Sequence, residues 1–216
     1  MPRESQAAKR ERTESILGTL KAEFPDAGCS LNYENPLQLL IATILSAQCT
    51  DERVNIVTRE LFKRYRSAED FAAAPIEDIE EMIRSTGFYR NKAKSVKGCC
   101  EALVSEHDGA VPDTMESLTP LAGVGRKTAN VVLGNAFGKE AGVVVDTHVK
   151  RISNLLKLSR QSDPVKIEQD LAKVVPRNDW TLFSHLLIRH GRKTCVARRP
   201  DCANCGIADR CPSSAV

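Results

Sequence analysis

The sequence predicts an all-α protein. Apolar residues recur at helical spacing in one segment after another, and capping residues or prolines precede most of these segments. The one β-like run, at 143–145, is only three residues long. Hydrophobic residues make up 42% of the 216 residues, which is ordinary globular usage and excludes a chain that is disordered throughout.

Six helices are predicted in the first half of the chain. The second begins at Pro36 and has no polar face, so we expect it to be the central buried helix. Asp51 is a candidate N-cap for the third helix, and Gly87 is expected to end the fifth. The predicted spans are, in order, 9–24, 36–47, a helix running on from Asp51 through Phe62, 68–73, 75–85 and 91–105.

The second half is predicted to be helical around one glycine-containing turn. Asp113 and Glu116 have capping-box spacing, and the turn at 121–125 leads into a helix over 126–136. The remaining predicted helices run from an Asp146 cap to about 158, from Asp163 to about 175, and from Asn178 to His190.

Charge and hydropathy exclude several classes of protein. A net charge of +3 is far below that of a histone-like polycation. No apolar run reaches the roughly 18 residues that span a bilayer, and residues 1–14 are polar. We therefore predict no membrane association and a cytoplasmic protein, associated with the nucleoid if bacterial. Segments 82–100 and 189–210 are rich in cations, which is typical of a nucleic-acid surface and of solvated helix faces alike.

Four of the eight cysteines fall within the last 22 residues, with the spacing Cys-x6-Cys-x2-Cys-x5-Cys. In a reducing compartment such a quartet indicates a metal site. A tetrathiolate site fits zinc or an iron–sulfur cluster, and the wide outer gaps favour the cluster. Such a clip would organise the C-terminus without entering a reaction. The four residues are Cys195, Cys202, Cys205 and Cys211.

The segment Leu121-Ala-Gly-Val-Gly-Arg-Lys-Thr-Ala129 joins two predicted helices through two glycines. Bare amides at the start of the second helix attract phosphate, which predicts a helix–hairpin–helix grip on a nucleic-acid backbone; an ordinary helix–helix turn is the alternative. Lys127 lies in the first turn, where the helix dipole, with any partial burial, favours the neutral amine that attacks carbon. A phosphate-contacting or solvated lysine is the plainer interpretation.

Asp146 follows the apolar run 143–145 at a predicted helix start. As a plain N-cap it would contribute about 1 kcal/mol. Close to a lysine amine, the same carboxylate could accept a proton or stabilise an oxocarbenium-like charge. The sequence does not show that Lys127 and Asp146 meet. His148, two residues on, is a candidate DNA contact or a packing residue.

Together these segments resemble the endonuclease III family of DNA glycosylase/AP lyases, from about residue 9 to residue 211. The resemblance rests on Leu45-Ser-Ala-Gln-Cys-Thr-Asp51, Gly87-Phe-Tyr-Arg-Asn-Lys-Ala93, Leu121-Ala-Gly-Val-Gly-Arg-Lys-Thr-Ala-Asn-Val132, Val145-Asp-Thr-His-Val-Lys-Arg151 and the four cysteines. It implies two helical lobes flanking a DNA-binding cleft. One is a six-helix barrel with the helix–hairpin–helix over 29–138. The other combines 1–28 with 139–216 and ends in a cluster loop at 195–211.

The resemblance also implies roles for single residues. Lys127 takes the position of the nucleophile that attacks the sugar C1′ and forms a Schiff base, and Asp146 that of the carboxylate that helps to expel the base. Gln48 takes the position that fills the gap left by a flipped nucleotide, and Phe88 that of an intercalating wedge. The implied cofactor is a [4Fe–4S] cluster. The remaining implied DNA contacts are Gly123, Val124, Gly125, Arg126 and His148.

Three positions depart from the family pattern. Ala122 stands where proline is frequent, which predicts a slightly looser hairpin. Phe88 stands where family members commonly have leucine. The change concerns how the wedge inserts into DNA and which base is preferred opposite the lesion. One extra residue separates Lys127 from Asp146, most simply in the loop at 138–142. It is expected to reshape one rim of the pocket.

The implied activity is excision of oxidised pyrimidines of the thymine glycol class from duplex DNA, followed by β-elimination at the abasic site, by a monomer. Adenine-mismatch glycosylases resemble this chain in the hairpin and the cluster, but they typically lack the nucleophilic lysine. Pyrimidine-dimer glycosylases are a second alternative, which the shape of the pocket would distinguish. A non-catalytic DNA-binding protein would need neither Lys127 nor Asp146. An iron–sulfur redox sensor acting through DNA would need an electron path that the sequence does not reveal.

Overall fold

The computed structural model describes residues 4–216; residues 1–3, with which the predicted discontinuous lobe begins, lie outside this range. Within it the chain is all-helical, as the sequence predicts. The α-helices are α1 Gln6–Glu23, α2 Pro36–Leu45, α3 Asp51–Arg64, α4 Ala68–Ala73, α5 Ile76–Ile83, α6 Tyr89–His107, α7 Met115–Leu118, α8 Arg126–Phe137, α9 Thr147–Leu155, α10 Pro164–Ala172 and α11 Trp180–Lys193. Short 3₁₀ turns occupy Arg84–Thr86, Arg177–Asp179 and Ala208–Arg210.

Two compact units divide the chain: the middle unit, Cys29–Ala141, and the terminal unit, Met1–Gly28 with Gly142–Val216. No helix among residues 4–216 has both the length and the apolar character needed to cross a bilayer.

The core of the middle unit forms around α2, which has no polar face, as predicted, and is buried from Leu39 to Leu45. Asn35 caps this helix by accepting the Gln38 amide, and Pro36 occupies its first turn. Leu39, Leu40 and Ile41 are fully buried. Full burial of such a side chain contributes about 1.5–3 kcal/mol, so α2 fixes the helices packed on it, which are α3, α6 and α8.

The core of the terminal unit joins the two ends of the chain. Ile16 and Leu20 of α1 share an apolar cluster with Phe183 and Leu186 of α11, and all four are fully buried. The Arg12 guanidinium donates to the backbone carbonyls of Leu156 and Arg210, at 3.0 and 3.1 Å. The N-terminal helix is therefore an integral layer of this unit.

Two predicted helix caps are displaced by one residue. Thr50, not Asp51, caps α3, because its hydroxyl accepts the Arg53 amide; Asp51 is the first helical residue, where its charge favours the positive end of the dipole. Thr114, not Asp113, caps α7 by accepting the Ser117 amide. The predicted caps at Asp146 and Asp163 are confirmed.

The last predicted helix start is displaced as well. The chain makes a 3₁₀ turn over Arg177–Asp179, and α11 begins at Trp180 rather than at Asn178.

Candidate functional site

The turn at 121–125 has buried anchors and an exposed backbone. Leu121 and Val124 are buried, and the Val124 amide donates to the Leu121 carbonyl at 3.0 Å. Gly123 has φ +76°, and a Cβ there would lie 2.7 Å from the Ser95 Cβ, so both conformation and space require glycine. Gly125 is the N-cap of α8 and places no side chain over its first turn. The exposed N-terminus of α8 is thus suited to an anion.

Lys127 is the second residue of α8, and its side chain is exposed. The partial burial that would add to the dipole effect is therefore absent. Ala129 and Asn130, two and three residues further along α8, are buried and hold the start of the helix in place. An exposed amine on a rigid helix N-terminus can reach a carbon atom brought to it by a bound partner.

Asp146 lies in the terminal unit, half-buried at the start of α9. Its Oδ1 accepts the Val149 amide at 2.7 Å, and the buried Val143 and Val144 anchor the preceding chain. The cap uses Oδ1, which leaves Oδ2 for a second partner. Lys127 belongs to the middle unit and Asp146 to the terminal unit.

Gln48 and Phe88 share an unusual backbone. Both are exposed and both lie in the left-handed region, with φ of 53° and 48°. Phe88 is 66% exposed. This region is uncommon for residues other than glycine and costs about 1–3 kcal/mol, so it persists only where the surroundings impose it. Both residues belong to the middle unit, as does the glycine turn. The sequence carried no signal for this strain.

His148 is half-buried and packs over Gly191. A Cβ at Gly191 would lie 2.8 Å from His148 Nδ1 and 2.8 Å from Ile152 Cδ1, so α9 and α11 can approach closely only at a glycine. The same histidine also lines a shallow depression with Arg151 and Arg192. His148 thus packs within the terminal unit and also faces a basic surface.

The four predicted cysteine ligands line a single cavity in the terminal unit. Burial raises the pKa of the Cys205 thiol, and negative charge on the other three cysteines raises it further. The thiols are thus close enough to repel one another as thiolates, and a bound cation would relieve this repulsion. Across residues 4–216, no three Cys, His, Asp or Glu side chains converge as ligands of a single ion.

Two side chains that the sequence analysis missed contact this cysteine loop. Arg151 of α9 donates to the Cys195 carbonyl at 2.7 Å and lies 3.6 Å from its Sγ. His190 of α11 is buried, its pKa is lowered by that burial, and its Nε2 lies 3.8 Å from the Cys205 Sγ. Since Asp146 caps α9, one helix links the carboxylate to the cysteine loop. Arg151 ends the motif at 145–151, but the sequence does not reveal that its partner is Cys195.

Known DNA-repair proteins match this chain in sequence over most of its length. Residues 41–177 match the family described as HhH-GPD superfamily base excision DNA repair protein. The chain is 56% identical to endonuclease III of Synechocystis over 96% of this chain and 95% of that protein. It is 39% identical to endonuclease III of Escherichia coli, covering 94% and 95% of the two chains.

A solved structure described as a non-covalent endonuclease III–DNA complex has a TM-score of 0.89 with this chain. Its sequence is 42% identical, and the match covers 95% of this chain and 96% of that one. High identity over almost the full length of both partners, together with the matching domain, establishes the family that the motifs predict. The chain belongs to the endonuclease III family of helix–hairpin–helix base-excision-repair DNA glycosylase/AP lyases.

Proposed function

We propose that this protein, acting as a monomer, removes oxidised pyrimidines of the thymine glycol class from duplex DNA and then cleaves the strand through a Schiff base on Lys127. The observation that carries the proposal is the exposed amine of Lys127 on the first turn of α8, directly after the glycine turn. An amine in this position meets the sugar of a nucleotide whose flanking phosphates bind the helix N-terminus.

The proposed chemistry uses two groups of the protein. Lys127 Nζ forms a bond to the sugar C1′ as the C1′–base bond breaks, and the base leaves with a proton. Opening of the sugar ring gives a protonated imine. Loss of a proton from C2′ then expels the 3′ phosphate, which breaks the strand, and hydrolysis of the imine frees Lys127. Asp146 stabilises positive charge at C1′, accepts the proton that the attacking amine releases, and returns it to the ring oxygen as the ring opens. Water supplies the proton that leaves with the base and accepts the proton lost from C2′.

Gln48 and Phe88 are the proposed residues for extruding the damaged nucleotide. Flipping a base out of a duplex costs a few kcal/mol, least for damaged bases, and inserted side chains offset this cost. An exposed aromatic ring on a fixed, strained backbone suits insertion, because little conformational freedom remains to be lost. Gln48 is displayed in the same way and is proposed to fill the gap.

DNA binding is proposed to rest on backbone amides and cations. Gly123, Val124 and Gly125 with Arg126 present the α8 N-terminus to one phosphate. In the terminal unit, His148, Arg151 and Arg192 line a depression that suits another. Neither surface reads base edges, which fits an enzyme that must search every sequence.

The four cysteines are proposed to hold a [4Fe–4S] cluster. In such a cluster each thiolate binds a different iron, which fits four thiols spread around one cavity, whereas zinc needs all four sulfurs about 2.3 Å from one point. Cys195, Cys202, Cys205 and Cys211 would hold the cluster, whose positive charge would offset part of the repulsion between the thiolates and which would fix the loop. Iron and zinc analysis of the purified protein, with its visible absorbance, separates the two metals.

The experiment that tests the proposed activity uses duplexes that carry one lesion each. We expect the thymine glycol strand to be cut with a β-elimination end, and an undamaged duplex to stay intact. Parallel duplexes carry adenine opposite 8-oxoguanine, or a thymine dimer. Cleavage or base removal confined to either of these would contradict the proposal and favour another branch of the superfamily.

A further inference from the structure

A lysine is buried in the middle unit next to the Phe88 turn. Lys92 of α6 is only 5% exposed, and its ammonium donates to the Thr86 carbonyl at 2.8 Å. Within residues 4–216, that carbonyl is its hydrogen-bond partner and no carboxylate pairs with it. Lysines are almost never buried in this way, because desolvating the ammonium is costly. The contact lies at Thr86, two residues before Phe88, and this position indicates a role for the buried lysine.

Lys92 contacts both sides of the strained turn. Its side chain holds Thr86, the last residue of the 3₁₀ turn, and its backbone amide donates to the Phe88 carbonyl at 3.1 Å. Between these two contacts lie Gly87 and Phe88, both with positive φ, at 71° and 48°. The Thr86 hydroxyl in turn donates to the Ile83 carbonyl at 2.8 Å. The strained segment is therefore fixed at both ends by one residue.

Burial also lowers the pKa of Lys92. The lysine is therefore held in an environment that disfavours its charge, and the Thr86 carbonyl offsets part of that cost.

We infer that Lys92 is a positioning residue for base extrusion: it clamps the turn from Thr86 to Phe88, so that the aromatic ring is held ready for insertion before DNA binds. This inference rests on the proposed wedge role of Phe88. An apolar side chain at Lys92 would leave the buried Thr86 carbonyl without a partner and let the turn relax away from its strained conformation.

A matched control lies on the same helix. Lys97 also donates its ammonium to backbone carbonyls, those of Ala72 and Ala74. These carbonyls belong to the end of α4 and the residue after it, not to the wedge turn. Lys97→Met therefore removes the same kind of contact from α6 without touching Phe88.

The test is a double-mutant cycle on single-turnover excision of thymine glycol, with Lys92→Met, Phe88→Ala, the double variant and Lys97→Met. We expect Lys92→Met to slow excision about tenfold, the loss typical of removing one hydrogen bond to a charged group. In the Phe88→Ala background it should cost nothing more. Lys97→Met should excise at the wild-type rate. If Lys92→Met is insoluble, Lys92→Gln, which keeps an N–H donor, enters the same cycle.

A spectroscopic readout separates positioning from general damage. With 2-aminopurine beside the lesion, the rise in fluorescence on binding should be smaller for Lys92→Met and unchanged for Lys97→Met. Additive losses in the cycle, or equal losses from the two lysine variants, would overturn the role of Lys92. Wild-type excision by Phe88→Ala would overturn the wedge and this inference together. A wild-type enzyme that unstacks 2-aminopurine without excising thymine glycol would instead refute the proposed activity.

Discussion

Phe88 and Gln48 in the middle unit are exposed on a strained backbone, whereas Asp146 and the four cysteines in the terminal unit are half-buried among fixed partners. Of the exposed pair, Phe88 follows a turn whose Thr86 carbonyl accepts a hydrogen bond from the buried Lys92. The half-buried ones are held by direct contacts, such as that of Arg151 with Cys195. The middle unit thus presents exposed side chains on a strained backbone, whereas the terminal unit holds its carboxylate and its cysteine loop through direct contacts.

The largest effect that this contrast predicts is at Lys127. Lys127→Gln should lower cleavage of a preformed abasic site by roughly 10³-fold or more, because no amine remains to attack C1′. DNA affinity should stay within a few-fold, since the glycine turn is unchanged. Gel cleavage and anisotropy binding assays measure the two quantities. Undiminished cleavage would remove Lys127 from the chemistry.

The next effect is at Asp146, where charge and capping can be separated. Asp146→Asn keeps an oxygen for the Val149 amide, and asparagine caps as well as aspartate. We expect excision to fall by about 10²-fold while thermal stability is retained, because only the charge is lost. Asp163→Asn is the control, since Asp163 caps α10 in the same way. Undiminished excision by Asp146→Asn, as expected of Asp163→Asn, would show that Asp146 is only a cap.

A change at the cysteine loop should act on folding rather than on chemistry. We expect Cys202→Ser to lose the cluster's visible absorbance and to be destabilised by several kcal/mol, because the loop would lose its bound group. Thermal unfolding with iron analysis measures this, and Cys99→Ser, which changes a cysteine of the middle-unit core, is the control. Full iron content in Cys202→Ser would show that Cys202 is not a ligand.

The smallest effect is expected at the hairpin. Gly123→Ala forces a Cβ to 2.7 Å from Ser95 at a positive φ, so the turn must shift. We expect about 1–3 kcal/mol of destabilisation and a severalfold weaker affinity for DNA of any sequence. Gly28→Ala, which meets no atom within 4 Å, should change neither. Equal affinity of Gly123→Ala and wild type would argue against the hairpin as a phosphate grip.

Local chemistry made much of this structure predictable. The caps at Asp146 and Asp163 and the proline start of α2 are set by a residue and its next few neighbours. The errors at Asp51 and Asp113 occurred where an acid lies next to a threonine, and the sequence does not say which of the two caps. The membership in the family was readable because several motifs occur in one order.

The rest depends on contacts between distant residues. Phenylalanine itself does not favour the left-handed backbone found at Phe88, and the Lys92 contact that fixes the preceding Thr86 lies outside any local pattern. The burial of Lys92 cannot be read from a stretch that contains five cations in 19 residues. The contact of Arg151 with Cys195 joins positions 44 residues apart. No local pattern encodes these partners.

The most direct test traps the covalent intermediate. Wild-type protein and a duplex with one thymine glycol are incubated with borohydride, which reduces the imine to a stable bond, and the modified peptide is identified by mass spectrometry. We predict a covalent adduct on Lys127, absent from Lys127→Gln and present in Lys139→Gln, whose lysine is held by Asp113. An adduct on another lysine, or no adduct from a wild-type enzyme that removes the base, would contradict the Schiff-base role of Lys127.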